Sequence, residues 1–518
     1  MPRFLELPRR YNAASHFIDR HIAEGRGDKI AFIDDKGSYT YAELAARVNR
    51  AGNLLKAQGV QPEQRVMLAL LDGIDFPAMF FGAMKIGAVP VPVNTLLTTK
   101  DYDFFLRDSR AVLLVVSDAL MEKFRPIVSD QPYLEKVLIS GQMPPTVTPL
   151  PKLLAEQSDQ LEAAATTPDD IGFWLYSSGS TGSPKGAMHL HGDLIHTAVL
   201  YGQEVLGIVE NDVVFSAAKL FFAYGLGNAM TFPLHAGATA VLMAERPTPA
   251  AVMQRLKQHQ ATIFYGVPTL YAGILADQTI TKESGSAKLR RCVSAGEALP
   301  EEIGKRWEKT FGVPILDGIG STEMLHIFLS NRPDDIRYGT TGVAVPGYDL
   351  KIVNENGQEV EQGEIGELLV SGPSSAVAYW NNRAKSLATF QGPWTRTGDK
   401  YLQTKEGYYI YAGRSDDMLK VSGIWVSPFE VESALQAHPK VLEVAVVGHA
   451  DNDDLIKPKA FVVLKDGVGA TDALVGELQS FVKDRLSPYN YPRWIEFVSE
   501  LPKTATGKIQ RFKLRAQA

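Results

Sequence analysis

Short apolar runs alternate with longer stretches of helical period along most of the chain. RVMLALL (65–71) reads as a strand, DFPAMFFGAMKIG as the helix after it, and AVPVPV as the next strand. AVLLVV (111–116), KVLIS (136–140), TAVLM (239–243), ATIFYGV (261–267) and RRCVSAG (290–296) repeat the theme. Strands spaced by helical segments predict α/β layers with parallel sheets, because a parallel neighbour needs a crossover long enough to hold a helix. From about 340 to 412 the pattern changes. DLKIVN, GELLVSG and YYIYAGR are separated by NENG, EQGE and TKEGY turns, which predicts antiparallel hairpins. Composition shifts again after Gly413 and Arg414. SDDMLKVSGIWVSPFEVESALQAHPKVLEVAVVG opens a βαβ-type unit, and KPKAFVVLKDG and RWIEFVSELP continue it. A domain boundary is expected at Ser415–Asp416, separating residues 1–415 from 416–518, and the second piece is already a self-sufficient domain length. No internal repeat is visible.

Length and composition narrow the class. At 518 residues the chain should form three or four compact units, at ~150 residues per unit, and bury its core without staples. Cys292 is the only cysteine, which excludes a disulfide framework and a cysteine zinc site and fits a reducing cytoplasm. A net charge of −6, with both signs mixed throughout, points to no nucleic-acid or polybasic membrane partner. MPRFLELPRR has no apolar segment of the kind a signal peptide carries. The most apolar span, FPAMFFGAMKIGAVPVPV, contains Lys85, Pro90 and Pro92 and reads as a buried helix running into a strand, not a membrane span.

YSSGSTGSPKG (176–186) has the look of a phosphate loop, and it follows the apolar run IGFWL. The Walker template, G-x-x-x-x-G-K-[ST], fails twice. Counting from Gly179, the sixth position is Pro184, which has no N–H to donate, and Lys185 is followed by Gly186 where a hydroxyl should hold magnesium. What survives is a hydroxyl-rich loop. Gly179, Gly182 and Gly186 permit unusual backbone angles, Ser177, Ser178, Ser180 and Thr181 supply donors, and Lys185 adds a point charge for a polyanion. The plainer alternative is a flexible linker, which needs neither the preceding buried strand nor a fixed Pro-Lys-Gly exit.

Four further stretches stand out, each weak alone. SAGEALP (294–300) is a strand end, a small-residue turn and an acid, ordinarily the start of a helix. ILDGIGSTEM (315–324) sets glycines beside Ser321, Thr322 and Glu323; TRTGDKY (395–401) presents Asp399 in a turn; LPKTATGKIQR (501–511) carries Lys508 after a glycine. Together they describe an ATP site that uses the whole chain: a carboxylate for a metal, another for a ribose diol, a phosphate loop and a late lysine.

The ordered set YSSGSTGSPKG, SAGEALP, GIGSTE, TGD, YAGRSDDMLKVSG and PKTATGK resembles the adenylate-forming superfamily of acyl-CoA synthetases, peptide-synthetase adenylation domains and luciferases, over nearly the whole chain. The resemblance implies a large N-terminal domain of layered α/β sheets with a small β-barrel-like region, and a small, mobile α+β C-terminal lid. KLFFAYGLGNAMTFPL (219–234) and GIGSTEMLHIFLSN (318–331) are similar to the benzoate-CoA ligase branch. That branch implies activation of benzoate as benzoyl-AMP with release of pyrophosphate, then transfer to CoA, as in aromatic acid degradation. Substituted benzoates such as 4-hydroxybenzoate or 2-aminobenzoate are the alternative substrates.

Residue by residue, the resemblance assigns the 177–186 loop to the β- and γ-phosphates and Thr181 and Glu323 to Mg²⁺. Ala295, Gly296, Glu297, Asp317, Gly318, Ile319, Gly320, Ser321 and Thr322 surround the nucleotide. Most relatives have a tyrosine at the place of Ile319 that stacks on adenine; apolar packing from Ile319 and backbone around Gly296 and Gly318 are expected to replace it. Asp399 accepts from the ribose hydroxyls, Arg414 offers planar donors to ribose or phosphate, and Lys508 is the catalytic lysine. Phe222 gates the acyl pocket, which Ala223, Tyr224, His326 and Ile327 line; ordinary core packing is the plainer reading of this stripe. Asp416 is the hinge, and Ser422 and Gly423 line the CoA tunnel, where glycine lets the thiol arm pass close to backbone.

Two constellations are set aside. HLHGDLIH (189–196) offers three histidines but no converging set of ligands, and DNDDLI (451–456) has Ile456 where a calcium loop needs glycine, so it reads as a surface turn. The expected partners are small molecules, ATP, benzoate and CoA, with monomer and homodimer both open. A peptide-synthetase module is disfavoured because no carrier segment follows Ala518, and a non-catalytic nucleotide sensor because Lys508, Glu323 and Asp399 are intact.

Overall fold

The computed structural model describes residues 2–142, 148–177, 184–415, 417–421, 424–451, 455–486, 490–503 and 509–517. Its first layer is a four-stranded parallel sheet in the order Val89–Pro92, Arg65–Ala69, Leu113–Ser117, Lys136–Ser140. These strands are covered on both faces, so they appear in the sequence as unbroken apolar runs. The helix Asp75–Lys85 is buried along its whole length. A Cβ on Gly82 would come within 2.7 Å of Ala51 Cβ, so glycine lets this helix lie directly on Tyr41–Ala57. The one charge at its end, Lys85, is satisfied by Asp19 Oδ1 and Asn49 Oδ1, each 2.6 Å from Nζ.

A nine-stranded sheet forms the second layer. Its centre, Thr239–Val241, Val213–Ser216, Ile263–Gly266, Arg291–Ser294 and Ile315–Gly320, is parallel, and antiparallel strands close both edges. Val66 and Val115 of the first sheet share one core with Ala240, Tyr265 and Leu316 of the second. On the far side of the second sheet Cys292 is fully buried in a cluster with Trp307 and Tyr271. Residues 349–414 form an open five-stranded antiparallel sheet, a half-barrel, from Asp349–Val353, Gly366–Ser371, Phe390–Gln391, Trp394–Gln403 and Tyr409–Arg414.

The small C-terminal domain is α+β with its own core of Val421, Val431, Val446, Val462 and Leu478. Its βαβ unit lies later than the sequence pattern predicts. In the stretch 415–448, expected to open the unit, Leu419–Val421 and Ile424–Val426 pair only with each other, and Val441–Ala450, after the helix Pro428–Gln436, runs antiparallel to Ile456–Leu464; among the described residues of this domain the parallel pair around a helix is Ile456–Leu464, Asp472–Lys483 and Trp494–Phe497. The link from Ala450 to Ile456 is too short for a crossover, so the two strands must fold back on each other. No helix among the described residues is long and apolar enough to cross a membrane.

Candidate active site

The strand Ile171–Ser177 and its antiparallel partner Lys185–Leu190 carry the phosphate-loop sequence at their open end, with Ser177 opposite Lys185. The loop therefore joins two strands of a hairpin, and the strand-to-helix turn of a Walker site is absent. Ser178, Gly179, Ser180, Thr181 and Gly182 lie outside the described residues. The hairpin is anchored from behind. Trp174 packs on Trp380 at 4.7 Å, the Trp380 indole donates to Asp108 O at 2.8 Å, and the Tyr176 hydroxyl donates to Asp108 Oδ2 at 2.6 Å. Lys185 sits with its ammonium 4.8 Å from the Tyr379 ring centre. Burial lowers its pKa, and the Glu323 carboxylate pulls the other way.

Glu323 follows the strand Ile315–Gly320 and accepts two hydrogen bonds on the same oxygen. The Tyr379 hydroxyl donates to Oε1 at 2.6 Å and the Ser177 hydroxyl to Oε1 at 3.2 Å. Burial, then the charge of Glu323, push the Tyr379 phenol upward, so it stays a protonated donor. The backbone beside Glu323 is held too. His189 Nε2 meets Thr322 O at 2.8 Å, and His189 Nδ1 meets Asp193 Oδ2 at 2.8 Å.

On the nucleotide side, Ala295, Gly296 and Glu297 leave the strand Arg291–Ser294, with Gly296 at φ +94°, where an L side chain would be strained. The neighbouring strand brings Asp317, Gly318, Ile319 and Gly320 alongside, with Asp317 opposite Ser294. Burial holds the Asp317 carboxyl well above the usual range. Ile319 is half-buried against the main core. A Cβ on Gly320 would lie 2.5 Å from His326 O, so only glycine fits. The Ser321 hydroxyl accepts from Met324 N–H at 3.2 Å.

Asp399 departs from the sequence expectation. It lies inside the strand Trp394–Gln403, not in a turn, because Gly398 takes φ +74° within the strand and bends it locally. Its cross-strand partner is Arg414, whose Nη1 donates to Asp399 Oδ1 at 3.0 Å and to Thr397 O at 3.1 Å.

The residues expected to line the acyl pocket are rich in aromatic rings. Phe222 precedes the short helix Ala223–Leu226 and packs on Phe221 at 4.3 Å. Asp72, whose carboxyl burial pushes up to about 6, accepts from Leu220 N–H at 3.2 Å and ties this segment to the first sheet. The Tyr224 hydroxyl is shared between Gly266 O and Val293 O at 3.2 and 3.3 Å. His326 is enclosed by Phe232, Tyr201 and Tyr224 with ring centres at 4.5, 5.5 and 5.6 Å. Its Nε2 faces two acceptors, Tyr224 O at 3.2 Å and Asn228 Oδ1 at 3.1 Å, which assigns the proton to Nε2. Nδ1 is buried without a hydrogen-bond partner among the described residues. Burial pushes His326 down to about 3, so the ring is neutral. Ile327 is buried and packs over Gly318.

The C-terminal domain meets the nucleotide side directly. Ile509 N–H donates to Glu297 Oε1 at 3.3 Å. Within the domain, Arg511 grips Glu432 with two bonds at 2.9 and 2.8 Å, and Lys503 holds Glu443 at 2.6 Å. Lys508, Asp416, Ser422 and Gly423 lie outside the described residues, as do 452–454 of the expected surface turn.

Residues 19–380 match the AMP-binding enzyme family, and residues 430–508 match the AMP-binding enzyme C-terminal domain. The chain belongs to the AMP-binding enzymes. It is 62% identical over 517 residues to the benzoate–CoA ligase of Thauera aromatica, covering 99% of this chain and 98% of that one. It is 51% identical over 508 residues to the 4-hydroxybenzoate–CoA/benzoate–CoA ligase of Rhodopseudomonas palustris, covering 98% and 94%. Its fold matches the crystal structure of a benzoate CoA ligase from Burkholderia xenovorans LB400 with a TM-score of 0.91 and 52% identity, over 98% of this chain and 100% of that one.

Several residues that build the candidate site carry no motif in the sequence. Tyr379, His189 and Asn228 bond Glu323, Thr322 and His326 from 56, 133 and 98 positions away, and nothing local marks them. The three histidines of HLHGDLIH turn out to be braces. His189 holds Thr322, His191 Nδ1 accepts from Ala13 N–H at 3.2 Å, and His196 Nε2 accepts from Leu5 N–H at 3.2 Å.

Among the described residues no group of three or more His, Cys, Asp or Glu could hold a metal ion. Glu323 offers one carboxylate oxygen, Oε2, that no hydrogen bond reaches among the described residues. One carboxylate oxygen of this kind fits Mg²⁺, which binds through one or two carboxylates plus substrate phosphates and keeps several waters.

Proposed function

We propose that this AMP-binding enzyme is an ATP-dependent benzoate–CoA ligase. The observation that carries the reading is the closed aromatic end around His326, Tyr224 and Phe222, set beside a polar end built on Glu323 and Lys185. The strong likeness to a benzoate–CoA ligase over the full chain supports it. The benzoate carboxylate attacks the α-phosphorus, the bond to the bridging oxygen breaks, and pyrophosphate leaves. The thiolate of CoA then adds to the carbonyl of benzoyl-AMP, and AMP departs.

Attack by one anion on another needs positive charge and alignment more than proton transfer. Lys508 supplies that charge in the first step, and Lys185 meets the phosphates at the mouth of the hairpin. Ser177, Ser178, Gly179, Ser180, Thr181 and Gly182 wrap the phosphates. Ala295 to Glu297 and Asp317 to Thr322 hold the nucleotide, Ile319 takes the adenine face, and Asp399 and Arg414 hold the ribose. Glu323 and Thr181 would hold Mg²⁺, which neutralises phosphate charge when bound. The domain boundary falls at Ser415–Asp416. The contact of Ile509 with Glu297 supports a lid that closes on the nucleotide for adenylation. The lid then turns about Asp416, bringing Ser422 and Gly423 to the pantetheine path. A cytoplasmic location, where ATP and CoA are supplied, accompanies this reading.

One observation favours a second substrate class. The bare, buried Nδ1 of His326 is an acceptor with no donor among the described residues, and a ring hydroxyl or amino group would supply one. Substituted benzoates such as 4-hydroxybenzoate or 2-aminobenzoate are therefore the alternative. A panel of aryl and alkyl carboxylates, assayed for CoA-dependent AMP formation, tests both. Benzoate should lead and palmitate should fail; comparable turnover of palmitate would end the aryl reading.

A further inference from the structure

The structure assigns to Tyr379 the task of aiming Glu323. This rests on the reading of Glu323 as the magnesium carboxylate. Tyr379 is 4% exposed, on a short strand, Ala378–Tyr379, paired with the strand that leaves the phosphate loop, where Tyr379 faces Ala187. It is fixed from three sides. Its amide donates to Ser386 Oγ at 3.0 Å, its ring packs on Phe390 at 5.2 Å, and its backbone pairs with Ala187. From that rigid seat the phenol donates to Glu323 Oε1, and Ser177 donates to the same atom. Both bonds fall on Oε1, so the carboxylate plane is set and Oε2 is the oxygen presented to a cation. The same ring lies under the Lys185 ammonium. One side chain thus sets the distance between the carboxylate that would take the cation and the lysine that takes the phosphates. Tyr379 touches neither substrate nor metal in this account; it is a positioning residue.

The test uses the full-length enzyme with a non-hydrolysable ATP analogue and Mn²⁺, counting free Mn²⁺ by electron paramagnetic resonance. Tyr379→Phe keeps the ring and removes one oxygen. It should weaken Mn²⁺ binding roughly 10-fold, as loss of a partner behind a metal ligand does. The magnesium concentration for half-maximal adenylation should rise in step, and excess magnesium should restore the rate. Glu323→Gln should weaken binding more, and adding Tyr379→Phe to it should change nothing further. If Tyr379→Phe leaves Mn²⁺ binding intact while Glu323→Gln abolishes it, the assignment to Tyr379 is overturned and the metal reading of Glu323 stands. If Glu323→Gln also leaves binding intact, both fall. Ser386→Ala removes the acceptor of the Tyr379 amide and gives a second route: a smaller loss of the same kind is expected, and a loss of rate that excess magnesium cannot restore would count against the proposal.

Discussion

At one end of the cleft His326 is 3% exposed, neutral, and packed between three aromatic rings. At the other, Glu323 is half-buried, charged groups face it, and hydroxyls from two separate strands converge on it. If the first end takes the acyl group, as proposed, it recognises by shape, with each group locked before a substrate arrives. If the second end takes the phosphates, it works by charge, with one oxygen and one ammonium held in register. The two should therefore fail differently. Damage to the phosphate end should slow every carboxylic acid alike, whereas damage to the acyl end should change which acid is preferred.

The largest effect is expected at Lys508. Lys508→Ala should slow adenylation by ~10²–10³-fold, about 2.7–4 kcal/mol by analogy with loss of one oxyanion donor. The factor should match for benzoate and 4-hydroxybenzoate in stopped-flow adenylate formation. A factor that depends on the acid would break the division between the ends. Gly423→Leu should spare adenylation and block thioester formation in a single turnover.

His326→Ala should act at the other end only. Opening the aromatic box should move the preference between benzoate and a bulkier 4-substituted benzoate by up to ~10²-fold, the usual reach of an apolar pocket. The magnesium requirement should stay put. Parallel kcat/KM measurements at several magnesium concentrations separate the two, and a shifted magnesium requirement would join the ends that this account keeps apart.

Glu323→Gln keeps the shape and removes the charge. Adenylation should need more magnesium, by about 10-fold or more, and equally for every acid. An unchanged requirement would remove Glu323 from the metal site.

The last effect is on stability rather than rate and belongs to buried histidines. Burial pushes His21 and His326 down to about 3 and His191 to about 4, so the folded protein keeps them neutral. An unfolded histidine protonates near 6.5. The unfolded state thus binds more protons below that pH, and stability is full above 6.5 and lost as pH falls toward 3 to 4. The loss is roughly 1.4 kcal/mol per group per pH unit. Thermal unfolding scanned from pH 7.5 to 5 should show a falling midpoint, and His326→Gln should flatten part of the slope. A flat midpoint over that range would mean that these rings are not held neutral.

Most of the layered architecture was legible because doubly covered strands are written as continuous apolar runs, as in Leu113–Ser117. The half-barrel was legible from its turns. The start of the C-terminal domain reads as a βαβ unit because the helix Pro428–Gln436 stands between apolar strands, yet the strands before that helix pair with each other, and Val441–Ala450 pairs antiparallel with Ile456–Leu464 across a link too short for a crossover. Asp399 read as a turn residue because Gly398 beside it signals a turn, yet the glycine only bends a strand. Of the site, the residues that would touch substrate carry motifs. Those that brace them do not. Tyr379 is 56 positions from Glu323, and His189 is 133 from Thr322, so their contacts exist only after the sheets have packed.

The burial of Cys292 makes the molecule convenient for optical work. Its thiol is 0% exposed, and burial raises it to about 12, so maleimide reagents at neutral pH should pass it by. A cysteine introduced on each domain would then be the only reactive thiols present. A donor–acceptor dye pair placed there could look, molecule by molecule, for the proposed swing between the two half-reactions in an otherwise unaltered enzyme.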